Sequence, residues 1–173
     1  MSAPDIHLNP AFIAAPGDLF AWLKTAIVWD ERMKARKTAS FGVSYDYSQI
    51  SYDPVPMAPE LIAICARIDT ALGFRPNNCL LNYYPDGNSS MGFHSDSTDE
   101  LAPGTGVAIV SVGSVRSIAF RNKLDRTVQF DYALENGSLL CMSQQIQQDW
   151  LHAIPKAAGA GERISLTFRD IVK

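Results

Sequence analysis

Apolar residues recur at Leu19, Trp22, Leu23, Ala26 and Ile27. That spacing of three and four gathers side chains on one stripe of an α-helix. A second helix is predicted where Leu61, Ile64, Cys65, Ile68 and Leu72 form a stripe, with Pro59 at its start and Gly73 at its end. Between them, residues 32–58 are polar, aromatic and proline-containing, and Tyr45, Tyr47 and Tyr52 alternate with small polar residues, a pattern of short strands and loops. Beyond Gly73 the apolar period shortens to that of strands. Cys79–Tyr84, Val107–Val112, Ser117–Arg121, Thr127–Tyr132, Ser138–Met142 and Arg163–Phe168 are short β-type runs separated by Gly, Pro, Asn and Asp. Two N-terminal helices packed on many short strands predict an α+β domain built around a sandwich or barrel.

At 173 residues the chain suits one domain and is too short for two comfortable ones. No apolar run reaches the roughly 18 residues of a membrane span, and Met1–Pro10 lacks the basic start and apolar stretch of a secretion signal. A cytoplasmic monomer is expected, with no membrane partner. Cys65, Cys79 and Cys141 are odd in number and have no C-x-x-C spacing, which fits buried thiols in a reducing compartment and argues against zinc. A net charge of −3 argues mildly against a nucleic-acid coat protein. Arg32, Lys34, Arg36 and Lys37, and then Arg116, Arg121, Lys123 and Arg126, are nevertheless two basic stretches that one face could combine, or that could be separately solvated.

Two of the three histidines carry the chemistry. His94-Ser95-Asp96 places an imidazole and a carboxylate two residues apart, hence on one side of an extended strand. With His152 they make a two-His-one-carboxylate set, which holds Fe(II) on one face and leaves about three coordination positions open. An H-x-D tripeptide alone also describes a surface His beside a solvated Asp. Arg163, Ser165, Thr167 and Arg169 share one face of the last strand, and Ile164, Leu166 and Phe168 the other. Two inward guanidiniums need anionic partners; a dicarboxylate would supply both, as would structural ion pairs with Asp or Glu.

Asn82-x-Tyr84, His94-x-Asp96, His152 and Arg163-x5-Arg169 occur in the order found in the AlkB family of Fe(II)/2-oxoglutarate-dependent dioxygenases, which the chain resembles from about residue 30 to its C-terminus. Leu81–Gly87, Glu100–Gly104, Ala108–Gly113 and Gly137–Leu140 carry the likeness further. The resemblance implies a double-stranded β-helix (jelly-roll) core over about 78–173, in a single domain 1–173 with a substrate lid at about 32–58. It implies Fe(II) on His94, Asp96 and His152, and 2-oxoglutarate and O2 as cosubstrates. Arg169 would take the distal carboxylate of 2-oxoglutarate and Arg163 the metal-proximal one, with Asn82 and Tyr84 hydrogen-bonding the same molecule. Ser165 stands where family members often have Asn. The implied reaction is oxidative N-dealkylation of alkylated DNA or RNA bases, releasing formaldehyde, succinate and CO2. The alternatives are an oxygenase of the same fold acting on a protein or small metabolite, and a non-catalytic 2-oxoglutarate or iron sensor.

The segment from Arg36 to Tyr47 resembles the family's base-gripping lid. Tyr47 could stack on a base and Arg36 reach phosphate or sugar, with Tyr45 beside them; the same aromatics could equally pack a hairpin on the helices. Arg121 lies in a stretch resembling a family loop near the nucleic acid. Thr98 departs from the pattern, because the family usually has Asp or Glu there to favour cationic bases; Asp99 could substitute.

Overall fold

The computed structural model describes residues 1–47 and 50–173. Residues 48 and 49 of the expected lid segment lie outside the described residues. The elements are, in order, β1 (Ile6–Asn9), α1 (Pro16–Ala26), β2 (Lys37–Gly42), β3 (Tyr45–Tyr47), β4 (Ile50–Tyr52), α2 (Pro59–Leu72), β5 (Asn78–Tyr84), β6 (Met91–His94), β7 (Val107–Gly113), β8 (Arg116–Asn122), β9 (Gln129–Leu134), β10 (Ser138–Met142), α3 (Gln144–Asp149), β11 (Trp150–Ile154) and β12 (Arg163–Arg169). Helices and strands are interleaved: β1 precedes α1, β2–β4 separate α1 from α2, and α3 falls among the late strands. The helices therefore do not form a block ahead of the sheets.

Two antiparallel sheets make the core. One has six strands in the order β1-β10-β7-β12-β5-β2, the other four in the order β6-β11-β8-β9, and β3-β4 form a separate two-stranded ribbon. This mostly antiparallel double sheet is a jelly roll. Strand β2 belongs to the six-stranded sheet, paired along β5 from Lys37↔Tyr83 to Gly42↔Asn78.

Alternation along the central strands divides the interior in two. On one face of the large sheet Leu81, Tyr83, Val110, Val112, Ile164, Leu166 and Phe168 pack with Leu23 of α1 and Leu61, Ile64 and Ile68 of α2. On the other, Tyr84, Val107, Ile109, Leu140 and Met142 meet Ile118, Phe120, Trp150 and Ile154 of the small sheet. Helix α2 stops at Gly73, whose φ of 78° is the left-handed conformation a glycine adopts without steric cost, and its N–H closes on the Asp69 carbonyl. Strand β12, central in the large sheet, is buried over its whole length. Its polar face consequently points between the sheets, where water is scarce. Among the described residues no helix is long and apolar enough to cross a membrane.

Candidate metal and cosubstrate site

Strand β6 ends on His94, and β11 places His152 directly opposite it in register. Their rings lie 4.3 Å apart between centroids. Asp96 follows just beyond the strand end, with Oδ1 3.5 Å from His94 Nε2 and 3.9 Å from His152 Nε2. One ligand atom from each of the three falls within 4.8 Å of the other two. Nδ1 of His94 is 2.8 Å from the Gly92 carbonyl; a proton on Nδ1 satisfies that contact and leaves the Nε2 lone pair facing Asp96.

The protonation states of His152 and Asp96 suit a cation. Burial pushes the His152 imidazole down to about 4, so it is neutral at pH 7. Burial alone would raise Asp96, but the Arg169 guanidinium and the two histidines hold its carboxyl well below the usual range. Neutral imidazole and ionised carboxylate are the forms that bind a divalent metal.

From this cluster a cavity runs between the sheets, lined by Asn82, Tyr84, Arg163, Ser165, Thr167 and Arg169 and walled by Leu80, Met91, Ile109, Ile118 and Ile154. The His94 side chain, 33% exposed, marks its open end, and Arg163, 1% exposed, its closed end. Arg169 donates from Nη2 to Asp96 Oδ2 at 2.9 Å, and its guanidinium lies over the Tyr45 ring at 4.6 Å. Arg163 has no carboxylate partner among the described residues. It donates one hydrogen bond, to Ser111 Oγ at 2.9 Å, and lies 5.0 Å from the Tyr84 ring centroid. Nε and Nη1 of both arginines, and the Tyr84 hydroxyl, are buried without hydrogen-bond partners among the described residues. Each such orphan costs roughly 1–3 kcal/mol. A guanidinium this dry with donors to spare fits a carboxylate ligand, as the three-residue cluster fits a divalent metal. The two arginines are ordered oppositely to expectation: Arg169 is at the metal end, on Asp96, and Arg163 is deep. The register sets this, since Arg169 pairs with Asn78 and Arg163 with Tyr84.

The residues expected at the substrate side are only partly brought together. Tyr47 lines the cavity. Arg36, expected to reach phosphate or sugar, is turned inward and buried: it donates to Asn82 Oδ1 at 2.9 Å, to the Ser90 carbonyl at 2.9 Å, and to the Tyr47 hydroxyl. Tyr45 is occupied in covering Arg169. Thr98 and Asp99 lie in the turn after Asp96 and do not line the cavity; Thr98 uses its carbonyl to accept from Leu101 N, and Asp99 is exposed. Arg121 stacks on Phe93, 3.8 Å from the ring centroid, on the small sheet. The two basic stretches do not merge as free charge. Arg32 pairs with Asp30 and Lys37 with Glu31, while Arg116 is buried, bonded to the carbonyls of Asp86, Ser89 and Pro155. The apolar wall and Ser111 were missed in the sequence, although the period of two in β5, β7 and β8 carries that signal.

Two imidazoles and a carboxylate at the open end of a jelly roll, with strand arginines behind them, are the ligand types and arrangement of a non-haem iron oxygenase site. Residues 22–169 match the family described as the 2OG-Fe(II) oxygenase superfamily, and the chain belongs to it. Fe(II), 2-oxoglutarate and O2 are the cofactor set of that family. The chain is 35% identical over 148 residues to DNA oxidative demethylase ALKBH2 of Mus musculus, covering 79% of this chain and 62% of the relative. It is 32% identical over 165 residues to alpha-ketoglutarate-dependent dioxygenase alkB homolog 3 of Rattus norvegicus, covering 84% of this chain and 56% of that one. The chain thus spans about three-fifths of the length of these relatives. The solved structure of OsALKBH1 superposes with a TM-score of 0.72 at 16% identity, over 98% of this chain and 100% of that one, a likeness of fold.

Proposed function

We propose that the chain is an Fe(II)/2-oxoglutarate-dependent oxygenase that removes N-alkyl groups from DNA or RNA bases. The observation that carries this is the His94–Asp96–His152 cluster opening onto a cavity with unsatisfied buried arginine donors. The demethylase named among its relatives supports the nucleic-acid substrate.

In this reading His94, Asp96 and His152 hold the iron. Arg163 binds the distal carboxylate of 2-oxoglutarate with its spare Nε and Nη1, beside the Tyr84 hydroxyl. Arg169 stays at the metal end and keeps Asp96 ionised, and Asn82, Ser165 and Thr167 line the path between. Bound iron would supply O2 activation coupled to oxidation of 2-oxoglutarate. The residues of the chain orient the cosubstrate, exclude water behind Leu80, Ile109, Ile118 and Ile154, and admit a flat base past Tyr47. One N-methyl group, O2 and 2-oxoglutarate give N–H, formaldehyde, succinate and CO2. The ribbon β3–β4 is the lid of a single domain whose helices α1 and α2 back the large sheet. We take it to work as a monomer, and its three free cysteines fit a reducing compartment such as the cytoplasm.

A second reading, hydroxylation or demethylation of a protein or metabolite, draws on the inward turn of Arg36 and the absence of Thr98 and Asp99 from the cavity lining. Formaldehyde release from oligonucleotides carrying 1-methyladenine or 3-methylcytosine separates the two. Succinate formation without formaldehyde from any such oligonucleotide would favour the second. A protein that binds 2-oxoglutarate and Fe(II) but never forms succinate would be the sensor.

A further inference from the structure

Asp96 lies past the end of β6 and, among the described residues, has no strand partner for its backbone N–H. That donor goes instead to the Gln147 side chain, Oε1, at 2.9 Å. Gln147 is 3% exposed and belongs to α3, the short helix that runs into β11 and so into His152. Its other amide atom, Nε2, is 3.6 Å from Met142 Sδ, so the amide orientation that presents Oε1 to Asp96 leaves both ends occupied. The backbone carbonyl of Gln147 accepts from Lys123 Nζ at 2.7 Å, and the same ammonium donates to Ser95 Oγ at 3.0 Å. Lys123 is fixed in turn by its own N–H on the Asp149 carbonyl at 2.9 Å. Helix α3 is anchored independently: Gln144 Nε2 donates to the carbonyls of Ala102 at 2.8 Å and Thr105 at 3.0 Å.

These contacts join the two halves of the ligand set. Ser95 and Asp96 come from the segment after β6, His152 from the unit α3–β11, and the ladder joins those units at His94↔His152 but leaves Ser95 and Asp96 outside it. Without this tether, the backbone after His94 has the freedom of a loop, and the Arg169 contact alone would order the carboxylate before the metal binds. We propose that Gln147, braced by Lys123, is a positioning residue that presets the Asp96 ligand for the metal. Arg169 holds the Asp96 carboxylate from one side and Gln147 holds its backbone from the other. Outer residues that orient metal ligands commonly change metal affinity by about ten- to a hundred-fold when removed.

The inference rests on the metal assignment above, and the test separates the two. Co(II) titration of the full-length, metal-free protein, followed by calorimetry and by the visible ligand-field bands, reads both affinity and geometry. Wild type should bind one Co(II) and His94→Ala should not; wild type that binds none would sink the metal reading and the brace together. Gln147→Leu keeps the volume and loses the acceptor. It should bind Co(II) about ten- to a hundred-fold more weakly, with altered bands. Gln147→Glu retains an oxygen in place and should recover much of the loss, whereas a packing effect would leave it as weak as Gln147→Leu or weaker. Lys123→Met should act in the same direction and, combined with Gln147→Leu, add little, as members of one network do. Wild-type Co(II) affinity and bands in Gln147→Leu, or no recovery in Gln147→Glu, would overturn the brace while leaving the metal site intact.

Discussion

Arg163 and Arg169 stand on one face of one strand, both buried, and they are expected to respond to the same substitution with opposite signs. Desolvating an ion costs several kcal/mol even after relaxation. Arg169 recovers this from Asp96 at 2.9 Å. Among the described residues Arg163 has only the Ser111 hydrogen bond and the Tyr84 ring in return, together about 2–4 kcal/mol, and burial depresses its pKa. Methionine at 163 removes an uncompensated charge, so metal-free Arg163→Met should be as stable as wild type or more so, by up to about 3 kcal/mol. Methionine at 169 strands Asp96 and should cost about 3–5 kcal/mol. For a chain this size, each kcal/mol moves Tm by about 2–4 °C. Thermal melts of metal-free protein with and without 2-oxoglutarate read both effects. At a hundred times its Kd, 2-oxoglutarate should add about 2.7 kcal/mol to wild type and almost nothing to Arg163→Met at the same concentration. An Arg163→Met protein that melts as early as Arg169→Met, or that is stabilised by 2-oxoglutarate as wild type is, would refute the reasoning.

Metal-free stability should fall as pH drops from 6.5 towards 4. Burial holds His152 at about 4 when folded against an ordinary 6.5, so in that window the unfolded chain binds the extra proton, at a cost approaching about 3 kcal/mol. His94 is raised: burial opposes, but its contacts with Asp96 and the Gly92 carbonyl outweigh it. Its contribution is complete below 6.5 and lost at higher pH, so it does not cancel that slope. Replacing His152 with Leu should flatten it, and an unchanged slope in denaturant melts would count against the buried neutral imidazole. Tyr47→Leu should raise KM for a methylated oligonucleotide about tenfold or more, from a stacking loss of about 1–3 kcal/mol, with 2-oxoglutarate affinity little changed; an unaltered KM would remove Tyr47 from the base path. Asp99→Asn should leave kcat/KM on 1-methyladenine within about twofold, because Asp99 is exposed and outside the cavity lining, and a large loss would return it to the site.

The alternation of Arg163, Ser165, Thr167 and Arg169 against Ile164, Leu166 and Phe168 was legible because a period of two survives any tertiary arrangement, and the cavity and the helix-side core divide along it. The candidate metal ligands were legible only in combination: an H-x-D alone also describes a surface pair, and it was His152, the strand arginines and the order of all these motifs that gave it weight. What a period cannot give is direction along a strand. The order of the two arginines depended on which end of β12 reaches Asp96, a matter of register with β5. Arg36 and Arg116 looked like surface charge because their partners, the Asn82 and Tyr47 side chains and the carbonyls of Ser90, Asp86, Ser89 and Pro155, are brought to them by the fold and mostly lie far away in sequence. Gln147 was invisible for the same reason. Strands β1, β6 and β11 were not among the runs read from the sequence; each is four or five residues long, a length at which periodicity alone is weak, although β10 is as short and was read.

Anaerobically prepared full-length protein, supplied with Fe(II), 2-oxoglutarate and air and a single 1-methyladenine oligonucleotide, tests the central claim most directly. Formaldehyde and succinate should appear in step with loss of the methyl mark, and Asp96→Ala should abolish all three. Demethylation that persists in Asp96→Ala, or wild type that releases neither product from any alkylated base, would contradict it.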